Sequence, residues 1–103
     1  MLRLDPAAVE EIHTAAAWYE ERRSGLAADL LGEVEQTLEL ISLRPATFPR
    51  LGGTPQDLIV RRALLDRFPY ALIFLVLPAG DLRVVAFAHA KRRPGYWLWR
   101  AQG

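Results

Sequence analysis

Residues 71 to 79, ALIFLVLPA, are the longest apolar run of the chain, and the strand-like stretch that contains it, YALIFLVL at 70 to 77, is apolar at both parities. A bilayer span takes roughly 20 apolar residues, so this run is a strand and not a membrane helix. A strand with one wet face alternates between apolar and polar positions. This one has no wet face, which predicts a central strand at least partly covered on both sides. The rest of the chain must supply two covers, and two helices can form only one of them.

The flanking stretches complete a sheet. LIVRRALL (58 to 65) and LRVVAFAH (82 to 89) are β-rich, and DRFP and PAGD join them to the central run. Links that short, with proline and glycine in them, suit tight reversals and hence an antiparallel meander. In the last strand Arg83, Val85, Phe87 and His89 share one parity, and Leu82, Val84, Ala86 and Ala88 the other. The side carrying Arg83 and His89 is expected to be the open one. Arg61 and Arg62 point to opposite faces, so one of them reaches that side. MLRL at the start can add a short edge strand.

The cover for one face comes from residues 5 to 44. Asp5-Pro6 is a helix start: the carboxylate can accept from the first free amides, and proline at the first helical position loses no hydrogen bond. Val9, Ile12, Ala16 and Tyr19 recur at helical spacing while Glu10, Glu11, Glu20 and Glu21 lie mostly off that stripe, to an end near Arg23. Trp18 and Tyr19, at helical spacing, are expected in the core. Ser24-Gly25 interrupts, and Leu30, Val34, Leu38 and Ile41 carry a second stripe to Arg44-Pro45. So short a break predicts an antiparallel helical hairpin. PATFPRLGGTPQD (45 to 57) reads as a loop, and no G-x-x-x-x-G-K-[ST] surrounds its glycine pair. The fold class is therefore α+β, an N-terminal antiparallel helical hairpin packed on one face of a small, mainly antiparallel β-sheet, in a single domain over residues 1 to 103.

Composition narrows the function. With 51% hydrophobic and 24% charged residues the chain is globular and not disordered. MLRLDPAAVEE lacks the layout of a secretion signal, so a cytoplasmic location is expected and a membrane is not among the partners. Without cysteine there are no disulfides, thiolate metal sites or cysteine nucleophiles. His13 and His89 have no metal-ligand spacing between them, so neither a metal nor a cofactor is expected. The net charge of +1 conceals a polarity: residues 1 to 40 hold nine acids and three bases, residues 41 to 103 ten bases and three acids. The second part is a candidate surface for an anionic macromolecule, with Arg62, Arg67, Arg83, Lys91, Arg92 and Trp97 as partner- or nucleic-acid-binding candidates. The bare face of the meander is expected to be electropositive and capped by another macromolecule.

HAKRRPGYW (89 to 97) concentrates the chemistry. A neutral imidazole at His89 can act as general base or acid, or simply close the strand on a backbone hydrogen bond. Guanidinium forks at Arg92 and Arg93 match phosphate or carboxylate oxygens, and Tyr96 and Trp97 can stack on a base or, with Trp99, lock the C-terminus onto the core.

The chain as a whole resembles toxins of the RelE/ParE superfamily from bacterial type II toxin–antitoxin modules. The resemblance lies in AAxWYEExxxGL at 15 to 26, VExxLxLI at 34 to 41, PxxFPRL at 45 to 51, VRRALLxRFPY at 60 to 70 and VAFAHAKRRPGYW at 85 to 97. It implies a toxin neutralised by a cognate antitoxin, with operator DNA contacted only through that antitoxin. RelE-like members are ribosome-dependent mRNA endonucleases, and ParE-like members poison DNA gyrase. Cleavage needs a base for the ribose 2′-hydroxyl, cations for the charged phosphorane and an acid for the leaving oxygen. His89, Arg61, Arg93 and Tyr96 are the catalytic candidates for that alternative. Lys91 is the only lysine and the 44 to 57 loop has no glutamate, so the lysine-rich and the glutamate-base nuclease types are both poorly matched. The resemblance therefore favours the non-enzymatic, ParE-like branch. A degenerate member kept only as an antitoxin-binding partner is the further alternative.

Overall fold

A computed structural model describes residues 1–55 and 57–102; Gln56, inside the predicted loop, lies outside the described residues. The elements run β1 (Leu2–Leu4), α1 (Pro6–Arg22), α2 (Leu26–Leu43), a short 3-10 turn (Pro45–Thr47), β2 (Ile59–Leu64), β3 (Tyr70–Val76), β4 (Leu82–His89) and α3 (Leu98–Gln102). The sheet order is β1-β4-β3-β2, with β2-β3-β4 an antiparallel meander and β1 parallel to β4 at the edge. The α+β class, the hairpin and the short first strand all agree with the reading from sequence. The loop after α2 runs along the outer edge of β2: Leu51 N donates to Val60 O and Arg62 N to Pro49 O. A bare edge strand is a template for unwanted pairing, and this return of the chain covers it.

The hairpin turns at Gly25, whose φ of 96° lies in the left-handed region that glycine enters without strain. Glu20 fastens the turn by accepting from the amides of Gly25 and Ala27. Those bonds hold its carboxyl below the ordinary range, the Ala27 amide contributing most. Asp5 does not cap α1 as expected. Its carboxylate receives two bonds from Arg83, at 2.7 and 2.9 Å, and a two-pronged guanidinium is the stronger competitor for both oxygens.

Two apolar clusters sandwich the sheet. The hairpin side holds Ile12, Leu30, Val34 and Ile41 against Ala63, Leu72, Phe74, Val84 and Phe87. Each of the fully buried Leu30, Ile41, Leu72, Phe74 and Phe87 contributes roughly 1.5–3 kcal/mol by leaving water. The opposite side holds Val60, Ala71, Ile73, Leu75, Val85 and Ala86 under Trp97 and Ala101 of the C-terminal segment. This corrects the expectation of a bare meander face: the protein's own tail covers much of it. Trp97 is therefore a core anchor and not a displayed contact, and Trp99, expected to pack, is 70% exposed. Trp18, expected in the core, is 49% exposed.

The strand parity is corrected too. Phe74 pairs with Val84 and Ile73 with Ala86, which leaves Val85 as an extra residue in β4. Such a bulge turns two successive side chains to one side, and Val85 and Ala86 both join the tail-side cluster. Phe87 is thereby returned to the hairpin side, apart from Val85. His89 follows it and sits at the sheet end, facing α1, rather than on one open face with Arg83.

Candidate functional site

Glu11, on α1, organises the basic end of the chain. Its Oε1 accepts from the Phe87 amide and from Arg100 Nη1, both at 3.0 Å. Oε2 accepts from the Tyr96 hydroxyl at 2.8 Å, Arg100 Nη2 at 3.2 Å and Arg92 Nη1 at 3.5 Å. Arg100 also donates to Val85 O, and its Nε is buried with no partner. Arg92 lies 3.8 Å over the Tyr96 ring. Burial, then the bond to Glu11, pushes the Tyr96 hydroxyl up to about 12, so it keeps its proton and holds it toward Glu11. Sequence placed Glu11 off the core stripe with the solvated acids. Nothing local distinguishes it from Glu10, because its partners lie 76 to 89 residues away.

The other cations divide by whether the fold has paired them. Arg83 is held by Asp5 and the Arg100 carbonyl. Arg67 reaches Asp29 at 3.3 Å from an exposed position. Arg61 lies on the hairpin side of β2 and donates to Phe48 O at 2.8 Å. Arg61 pairs with Phe74 in the ladder and His89 with Tyr70, four residues along β3, which is roughly 13 Å of strand rise. Arg61 therefore stands apart from the other three candidates, while His89, Arg93 and Tyr96 line one slot. His89 Nδ1 accepts from the Lys91 amide at 3.0 Å, so in the neutral ring the proton sits on Nε2 and the free nitrogen is a donor. That arrangement closes the strand and engages the Nδ1 lone pair.

Arg62, Lys91 and Arg93 are exposed, with no side-chain partner among the described residues. Two of them flank an apolar slot of about 210 Å³ where the tail leaves the sheet uncovered. Ile73, Ala88 and Trp97 line it, Leu64 stands at its side 61% exposed, and Arg62 and Arg93 rim it. The turn carrying Arg93 is built on Pro94 and on Gly95 at φ 78°. A positive φ there lets the chain reverse and return Trp97 to the sheet. The slot presents an apolar floor between two unneutralised guanidiniums. Among the described residues no group of three or more His, Asp or Glu is placed to hold a metal ion, and no helix is long and apolar enough to cross a membrane.

The fold is that of a known toxin–antitoxin component. A solved chain from the chromosomal ParDE TA system of P. aeruginosa superposes with a TM-score of 0.71 over 87% of this chain and 95% of that one, at 18% identity. No family model matches the chain, and no curated protein matches it.

Proposed function

We propose that this chain is the toxin of a type II toxin–antitoxin module, that it acts as ParE-like proteins do by binding DNA gyrase, and that a cognate antitoxin neutralises it in the cytoplasm. The shared ParDE fold supports the class. The observation that carries the binding mode is the division of the cations. Of the two cations in the nuclease alternative, Arg61 is engaged by the Phe48 carbonyl and only Arg93 stands free, together with Arg62, beside an apolar slot. A charged transition state needs donors aimed at it and unengaged. A protein partner needs an apolar anchor and a charged rim, which the slot offers. The target segment is then acidic around an apolar anchor, and Arg62, Lys91 and Arg93 are its contacts, with Arg92 beside them through its half-exposed guanidinium.

The test is a supercoiling assay with purified gyrase and the purified chain, run beside a translating, ribosome-containing extract in which mRNA integrity is followed. The proposal expects inhibition of supercoiling, intact mRNA and full activity in His89→Ala. Ribosome-dependent cleavage that disappears in His89→Ala or Arg93→Ala would assign the nuclease reading instead. No effect in either assay, with no growth arrest on induction, would leave a partner that binds antitoxin without toxicity.

A further inference from the structure

A larger concavity than the slot, about 660 Å³, lies between α1 and the ends of β3 and β4, within the size range of small-molecule sites. Its wall is a continuous set of rings. Trp18 and Tyr19 meet edge to face at 5.0 Å, Tyr19 and Tyr70 at 6.5 Å, and Tyr70 and His89 at 4.9 Å, while Tyr70 stacks flat on Phe87 at 4.4 Å. Trp18 is the anomaly. An indole half exposed on a helix is hydrated at a cost unless something covers it, and here it is also held in place. The Arg22 guanidinium lies 3.3 Å from its ring centroid and donates to the Trp18 carbonyl at 2.9 Å. Arg22 is not among the residues that line the groove, and its stacking fixes the indole that does line it.

The polar groups fit a flat heterocycle with both donors and acceptors at its edge. His89 offers Nε2–H, since its Nδ1 is taken by the Lys91 amide. Glu10 and Thr14 offer oxygen acceptors on the helix side, and Glu10 has no partner among the described residues. Arg92 lines the same groove beside His89, its side chain 53% exposed and 3.5 Å from Glu11 in a loose pair for which a phosphate can compete, and Lys91, outside the groove's lining, follows His89 in the turn. We infer that this groove binds a purine 5′-monophosphate, the base stacked on Trp18 between the Tyr70–His89 wall and Glu10, the phosphate at Lys91 and Arg92. Aromatic platforms bind bases through stacking, and two adjacent cations supply the anion contact. A purine covers more of the ring wall than a pyrimidine does. The groove borders the slot, sharing Tyr70, His89 and Arg92 with it, and its test reads nucleotide binding alone, so a failure there leaves the gyrase reading standing.

The test titrates the full chain with AMP, GMP, UMP and adenosine by calorimetry at low salt. AMP and GMP are expected to bind saturably, more tightly than UMP and than adenosine, with the advantage over adenosine shrinking in Lys91→Ala. Trp18→Ala is expected to weaken AMP about tenfold or more, the scale of a lost base–aromatic stack. Trp99→Ala, at a more exposed indole outside the groove, is expected to change nothing. Circular dichroism checks that Trp18→Ala is folded, and Glu10→Ala gives a second groove variant on an exposed position. Absence of saturable AMP or GMP binding up to about 5 mM overturns the inference. So does UMP binding as tightly as AMP, or purine affinity unchanged in both Trp18→Ala and Glu10→Ala.

Discussion

Glu11→Gln is the substitution whose cost the structure specifies best. Gln keeps one oxygen, to accept from either the Phe87 amide or the Tyr96 hydroxyl, which bond to different carboxylate oxygens, and sets an NH2 donor at the other, so the change removes the charge and one acceptor. Glu11 and Arg100 are only 16% and 12% exposed, and beyond Glu11 the acceptor that Arg100 has is Val85 O, with Nε already unpartnered. Removing one member of a buried pair costs about 3–5 kcal/mol. The one retained acceptor and the adjoining groove place this case at the lower end, about 3 kcal/mol. In a domain of this size that is a fall in melting temperature of roughly 10–20 °C. It is a large share of the roughly 5–15 kcal/mol that holds such a fold together. The assay is urea unfolding followed by far-ultraviolet circular dichroism at pH 7. Asp29→Asn, which breaks the exposed pair with Arg67 (43% and 60% exposed), is the control and should cost no more than about 0.5 kcal/mol. Glu11→Gln combined with Arg100→Met should recover most of the loss, because no buried cation is then left unpaired. A Glu11→Gln protein within 0.5 kcal/mol of the parent, or a double variant less stable than the single one, would refute the reasoning.

Gly25→Ala forces a Cβ into the left-handed region and should destabilise by about 1–2 kcal/mol, read from the same urea curves; an unchanged midpoint would show that the hairpin turn tolerates another conformation. The Glu20 carboxyl is depressed by the Ala27 and Gly25 amides, so its contribution is present above the ordinary value of 4.5 and is lost as pH falls through the lower folded value. Melting temperature should therefore drop less steeply with acid in Glu20→Gln than in the parent. Tyr96 has the opposite sign. Its proton is retained to about 12 in the fold against 10 in the unfolded chain, so its contribution is present below 10 and is lost as pH rises towards 12. Melting curves from pH 9 to 12 should converge for the parent and Tyr96→Phe, and parallel curves would contradict the assignment.

The parts of this fold legible in the sequence are those with local periodicity. The helical stripes through Ile12 and Ile41, the both-parity run at 70 to 77 and the proline- and glycine-marked turns each carry their signal within about ten residues. The bulge at Val85 does not, because one extra β-branched residue in an apolar strand leaves no mark and yet reverses every face after it. The pairing of Arg83 with Asp5, and of Arg100 with Glu11, joins residues 78 and 89 positions apart. Those ion pairs decide which cations of HAKRRPGYW and its neighbours are displayed, so the list of candidate residues was readable while their division into engaged and free was not. The tail as the second cover was half visible. Trp97 was identifiable as an anchor, but α3 is five residues long, too short for a stripe.

The central claim is that the free cations beside the slot, and not His89, carry the activity. Induction of the chain in bacterial cells lacking antitoxin, scored for growth arrest with soluble protein quantified, tests it most directly across the parent, His89→Ala and the double variant Arg62→Glu with Arg93→Glu. The account predicts arrest by the parent and by His89→Ala, and none by the double variant. Arrest by the double variant, with growth restored in His89→Ala, would contradict it.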